Sequence, residues 1–404
     1  MARDKLLFGI DRLVLTGARQ LAQRRLGLIT NDAAVTACAP RPLMSTRTAL
    51  LQAGFEVVTL FSPEHGIGAT APDGSPVADT TDPLTGLPVR SLYGADFRPT
   101  REALAGVEAL IFDLPDVGTR FYTYIWTLSY ALEACAEAKL PLWVLDRPNP
   151  LGGDLGAAEG PLFDESLPGG LVGRWSIPVR HGLTVGELAM LWNSERRINA
   201  DLAVVAMEGW SGRSSWPSLG LPFVPTSPAM PSYDGALLYP GTGLLEGLSV
   251  SEGRGTVVPF RVVGAPWLNG ARLSAAFDAC HLPGVAARPV SFTPCSGRYA
   301  GQCCTGVMLH VTDEHAFRPV ATGLRLIALI WMLHPEECRW TTYPTAANVT
   351  GAGHFDRLVG RRDIRPVLEH HPADVTTRIA DWTDPQGWPS RVHPHVLYPV
   401  GSTS

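Results

Sequence analysis

With 404 residues, 45% of them apolar and 18% charged, the chain has the make-up of a globular protein long enough for two or three domains. A net charge of −5 without any basic stripe argues against a nucleic-acid partner. The charged start is interrupted by Asp11 and Arg12, so no signal peptide is expected, and the most apolar stretch, 324–333, is too short for a bilayer and carries Arg325. A cytoplasmic protein with no membrane partner is therefore expected.

In chain order, the apolar run 26–30 ends at Asn31 and Asp32, and Ser45 is placed to cap a helix that stops at Gly54. The run 55–61 reads as a buried strand and breaks at Pro63-Glu64-His65-Gly66. Another, 107–112, runs into Asp113 and Asp116; a helix covers 124–139; and 142–145 ends at Asp146 and Asn149. Strand, polar loop and helix in repetition predict a parallel sheet with crossover helices. Asn31, Glu64, Asp116 and Asp146 then gather along its C-terminal edge, where open α/β sheets bind ligands.

The Gly- and Pro-rich stretch 151–172 reads as a loop or lid, and Thr184 with Glu187 as a capping box, which makes Glu187 structural. Segment 209–232, with Trp210 and Trp216, suits a groove wall. Glu246, Glu252 and Arg254 follow in glycine contexts. Beyond 258 the pattern changes to a helix at 270–280, short strands at 290–292 and 307–311, and a core helix at 316–333, which predicts a smaller α+β domain over 259–404 packed on an α/β domain over 1–258.

Several chemistries lack their motifs. No glycine-rich turn follows the first strand, and neither a Walker loop nor a Gly-x-Ser-x-Gly elbow occurs. Seven cysteines without a Cys-x-x-Cys, and histidines at His370-His371 and His393-Pro394-His395, have no metal-ligand spacing, so neither cofactor nor metal is expected and the thiols read as mostly buried in a reducing compartment. Carboxylate chemistry remains. Glycoside hydrolysis needs an acid beside the leaving oxygen and a second group at the anomeric carbon. Glu64, with Tyr122 and Trp126 expected to desolvate it, is the first candidate.

Ordered motifs along nearly the whole chain carry a resemblance. They are Pro63-Glu64-His65-Gly66, Thr85-Gly86-Leu87-Pro88, Ser91-Leu92-Tyr93-Gly94, the run from Asp116-Val117-Gly118-Thr119-Arg120 through Phe121-Tyr122-Thr123-Tyr124, Asp146-Arg147-Pro148-Asn149-Pro150, Glu159-Gly160-Pro161 and Ile177-Pro178-Val179-Arg180-His181-Gly182. Tyr239-Pro240-Gly241-Thr242, Ser251-Glu252-Gly253-Arg254-Gly255, Gly264-Ala265-Pro266-Trp267 and Phe317-Arg318-Pro319-Val320 continue the series. Together they resemble the bacterial exo-β-N-acetylmuramidases of NamZ type. The resemblance implies a Rossmann-like catalytic domain without nucleotide, a C-terminal auxiliary domain, and a cleft between them that removes N-acetylmuramic acid from non-reducing ends of peptidoglycan fragments.

Carried over by motif, Glu64 is the expected catalytic acid, with Glu159 and Asp116 as candidates for the second. Arg120, Tyr122, Arg180 and His181 are expected to line the sugar site, with a cation among them on the lactyl carboxylate. Asn31, His65, Asp146, Asn149, Glu252 and Arg254 complete the expected binding set. Two positions depart from the family's usual pattern: Gly68, where a basic residue is usual, and Ala229, where Ser-Pro-Asn-Met-Pro has asparagine. A muropeptide-binding protein without turnover is the alternative that these departures support.

Overall fold

The computed structural model describes residues 6–398; the first five residues of the charged start lie outside the described residues. Seven strands form the main sheet: β1 (Leu26–Ile29), β2 (Val57–Ser62), β3 (Thr80–Thr81), β4 (Pro88–Ser91), β5 (Ala109–Phe112), β6 (Leu142–Leu145) and β7 (Leu202–Val205). Their order is β3-β4-β2-β1-β5-β6-β7, and every pairing is parallel except that of β3 with β4.

Register sorts the side chains. Leu28 lies beside Leu60 and Ile111, and the three pack with Ile10 of α1 (Gly9–Thr16) and Leu50 of α2 (Thr46–Gln52). One residue on, Ile29, Phe61 and Phe112 point to the opposite face, against Leu128 of α3 (Tyr124–Ala138) and Leu188 of α4 (Val185–Glu195). Burial on both faces is why these strands read as unbroken apolar runs. Ser45 caps α2 by accepting from the Thr48 N–H, and Thr184 with Glu187 forms the capping box of α4. The second oxygen of Glu187 accepts from the Leu397 N–H and so ties down the end of the described chain.

The second half is built on an antiparallel sheet in the order β8 (Val262–Ala265), β10 (Cys304–Val311), β9 (Val285–Phe292). Helices α5 (Tyr233–Thr242), α6 (Gly270–Asp278) and α7 (Pro319–Leu333) pack with it, and α8 (His354–Val359) follows. Where α5 meets α7 the backbones touch: a Cβ at Gly241 would lie 2.0 Å from the Pro319 carbonyl oxygen, and one at Gly323 2.3 Å from that of Gly241. One continuous core runs from α3 and α4 through Tyr239 of α5 to Val307 of β10 and Leu326 of α7, so the two halves share their packing.

Sequence reading missed β3, β4, β7 and β8, made β9 and β10 too short, and began α7 three residues early, ahead of the proline that sits at its first position. Cys295 and Cys303 are exposed, against the expectation of mostly buried thiols. Among the described residues no helix is long and apolar enough to cross a membrane.

Candidate active site

Chain reversal directly after β2 presents Glu64. His65 and Gly66 both adopt left-handed backbone, with φ of 69° and 73°. That conformation costs a non-glycine residue about 1–3 kcal/mol, and the loop holds it: the His65 carbonyl accepts from the Thr70 and Ala71 N–H groups, and its Nδ1 lies 2.7 Å from the Ala71 carbonyl oxygen. Glu64 is thereby buried at the head of the sheet. Its Oε1 accepts from the Gly74 N–H at 2.7 Å and its Oε2 from the Thr123 hydroxyl at 2.8 Å, with the Tyr93 hydroxyl as a third donor. Thr123 is the residue before α3, so the carboxylate sits by the positive end of a 15-residue helix.

Arg254 organises the opposite wall. Its guanidinium lies 3.3 Å from Asp73, 2.8 Å from Glu246 and 3.2 Å from Glu252, and 5.0 Å over the Phe260 ring. Glu246 also lies 3.0 Å from Nε2 of His354, whose ring stacks on Tyr343 at 4.6 Å, and the Tyr343 hydroxyl donates to Asp73. Burial raises the proton affinity of both Asp73 and Glu246. Arg254, with Tyr343 for the first and His354 for the second, outweighs it, and both carboxyls titrate below their usual range. Glu252 goes the other way: burial, with Arg254 opposing and the charge of Glu246 adding, lifts it to about 7.

Between the two walls lies a cleft, open to solvent at its mouth. Glu64, Asp73, Glu246 and Arg254 line it together with Phe121, Tyr122, Tyr239 and, from α8, Arg357. Gly169, Leu171 and Val172 of the expected lid and Ser227, Ala229 and Met230 of the expected groove wall also border it. Acids, a cation and aromatic faces in one cavity can grip a sugar ring and exchange protons with it.

Of the residues expected from sequence, Glu64, His65, Tyr122 and Arg254 line this cleft, and Glu252 backs it through Arg254. The others hold the backbone together. Glu159 accepts from the Val320 and Ala321 N–H groups and so caps α7, with burial lifting it to about 6. Asp116 pairs with buried His181 at 3.1 Å and borders a separate, mostly apolar cavity with Phe8, Arg147 and Phe223. Arg120, wholly buried, donates to the carbonyls of Pro161, Ile177 and Leu358. Burial without a carboxylate draws its guanidinium down to about 9.

Asn31 bonds the Tyr124 hydroxyl and the Ala33 N–H; Asp146 accepts from Thr184, Gly186 and Tyr398; Asn149 bridges Leu151 and Leu183. Arg180 donates to the Leu151 carbonyl beside another surface pocket. Trp126, expected to desolvate Glu64, instead stacks on Trp192 at 5.1 Å in the core. Of the departures, Ala229 borders the cleft, whereas Gly68 does not. Asp73, Tyr93, Thr123, Glu246, Tyr343, His354 and Arg357 were not in the expected set. Tyr93 and Thr123 fall inside quoted motifs and Glu246 in a noted glycine context, but nothing local marks the rest.

A mostly parallel sheet with a buried carboxylate at its C-terminal edge, facing a cleft that a second, smaller sheet domain closes, is the architecture of a two-domain α/β enzyme. The family model described as exo-β-N-acetylmuramidase NamZ, N-terminal, matches residues 26–234, and its C-terminal counterpart matches 237–398. The chain belongs to this NamZ exo-β-N-acetylmuramidase family. It is 43% identical over 369 residues to the peptidoglycan β-N-acetylmuramidase NamZ of Bacillus subtilis strain 168, covering 91% of this chain and 85% of that protein. Two crystal structures of DUF1343 family proteins from Bacteroides fragilis superpose with TM-scores of 0.83 and 0.73 at 30% and 25% identity. Each alignment covers 98% of this chain, with 99% and 100% of the respective partner.

Proposed function

We propose that this protein is an exo-acting glycosidase that releases N-acetylmuramic acid from the non-reducing end of peptidoglycan fragments. Glu64 exchanges the proton with the glycosidic oxygen. Asp73 and Glu246, kept ionised through Arg254, answer the positive charge that grows at the anomeric carbon. Tyr122 and His65 border the sugar, and Glu252 holds Arg254 from behind. The observation that carries this reading is the geometry of Glu64: a buried carboxylate fixed by three donors and open on its remaining side to a cleft.

The division of labour is part of the same proposal. Residues 1–258 supply the acid and the Arg254 wall, and 259–404 close the cleft through Tyr343, His354 and α8. A reducing, cytoplasmic setting is also proposed, supported by the exposed thiols Cys295 and Cys303.

Release of N-acetylmuramic acid from the β-1,4 disaccharide of N-acetylmuramic acid and N-acetylglucosamine is the test. Glu64→Gln is expected to lower kcat by about 10²–10⁴-fold. Equal release by both proteins would move the acid elsewhere. Saturable binding by folded wild type with no release would leave a muropeptide-binding protein.

A further inference from the structure

Every charged group on the cleft walls has a partner in the described residues except Arg357. Arg254 is engaged by Asp73, Glu246 and Glu252, His354 by Glu246, and His65 by the Ala71 carbonyl. Glu64 has its three donors. Arg357 lines the same cleft, half-buried, and its guanidinium meets neither carboxylate, carbonyl nor ring. Only burial acts on it, and draws its proton affinity down. The neighbouring Asp356 is turned to Arg365, 3.8 Å away.

A guanidinium partly withdrawn from water with no acceptor is costly, and the helix that carries this one is held in place. Its helix, α8, is pinned on both sides of it: His354 is tied to Glu246, and the Leu358 carbonyl accepts from Arg120. The cleft thus offers an unengaged fork of N–H donors on an anchored helix, with the acids around it already committed, which suits bidentate binding of an incoming carboxylate.

We infer that Arg357 is the carboxylate-binding residue of the cleft and pairs with the lactyl carboxylate that distinguishes a muramic acid from a glucosamine residue. The inference rests on the proposed muramic acid site and assigns there the cation that sequence placed on Arg120 or Arg180. Both of those are turned to backbone carbonyls.

The test compares wild type, Arg357→Ala and Arg357→Lys on 4-nitrophenyl β-N-acetylmuraminide and on its lactyl methyl ester. Esterification is expected to lower the wild-type kcat/KM by about 10- to 100-fold, mostly through KM, as loss of a charge-assisted pair requires. Arg357→Ala should lose the same factor on the free acid and no longer distinguish acid from ester, while Arg357→Lys, a point charge without the fork, recovers part of the preference. An Arg357→Ala protein that still prefers the free acid, or a wild type indifferent to esterification, overturns the assignment. Wild type that cleaves neither compound would count against the hydrolase reading, and calorimetry with free N-acetylmuramic acid then decides Arg357 separately. About tenfold weaker binding by Arg357→Ala, with N-acetylglucosamine binding unchanged, supports it, and equal binding of the two sugars by wild type and variant overturns it.

Discussion

At the scale of the residue, Glu64 owes its orientation to neighbours that do no chemistry themselves. Tyr93 is one: burial and the adjacent Glu64 charge hold its phenol protonated, so it remains a donor to that carboxylate across the working pH range. Tyr93→Phe removes one of three donors and leaves the ring's packing, and kcat on a muraminide is expected to fall roughly tenfold. KM and the circular dichroism spectrum should hardly change; an unaltered kcat would show that Gly74 and Thr123 suffice. Pro63-Glu64-His65-Gly66 was legible in sequence because an abrupt stop to an apolar strand is a local event. Asn31, Asp146 and Asn149 carried the same signal for a different reason. A polar residue at a strand end looks alike whether it awaits a ligand or closes neighbouring backbone, and these do the latter.

At the scale of the element, α5 and α7 meet backbone to backbone. A methyl at Gly323 would sit 2.3 Å from the Gly241 oxygen and 2.5 Å from its Cα, and backbone cannot move aside as a side chain can. Gly323→Ala should therefore destabilise by about 3 kcal/mol, the upper end of overpacking costs, and lower the thermal midpoint by several degrees. A midpoint unchanged in calorimetry would mean that the helices can separate at no cost. Glu159 belongs to the same joint, because its carboxylate on the first turn of α7 links a loop of the first domain to a helix of the second. Helices and long apolar strands could be read from sequence; this cap could not, since its two sides lie 161 and 162 residues apart. Arg254 could be singled out in sequence, but not the wall it builds: Asp73, Glu246 and His354 meet around it only in the fold.

At the scale of the whole molecule, buried carboxylates set the response to pH. Burial lifts Asp146 and Glu159 to about 6 and Glu187 and Glu252 to about 7, from unfolded values near 4. Between those limits the folded chain keeps protons that the unfolded chain has released, so their contribution is complete below about pH 4 and is lost as pH rises through 6 to 7. Asp73 and Glu246 have the opposite sign: their contribution is present above the unfolded value and disappears as pH falls through the lowered one. The thermal midpoint is expected to peak near pH 5 and decline toward pH 8 in scanning calorimetry; a flat or rising profile over that interval would contradict it. Arg120 sets a different kind of order, one in time. Its third acceptor, the Leu358 carbonyl, lies 238 residues downstream. A ribosome therefore finishes the strands of the main sheet long before the last acceptor of Arg120 exists, and α8, which brings that carbonyl, also brings His354 and Arg357 to the cleft. A nascent chain carries its scaffold early and acquires part of its cleft lining among the last pieces to arrive.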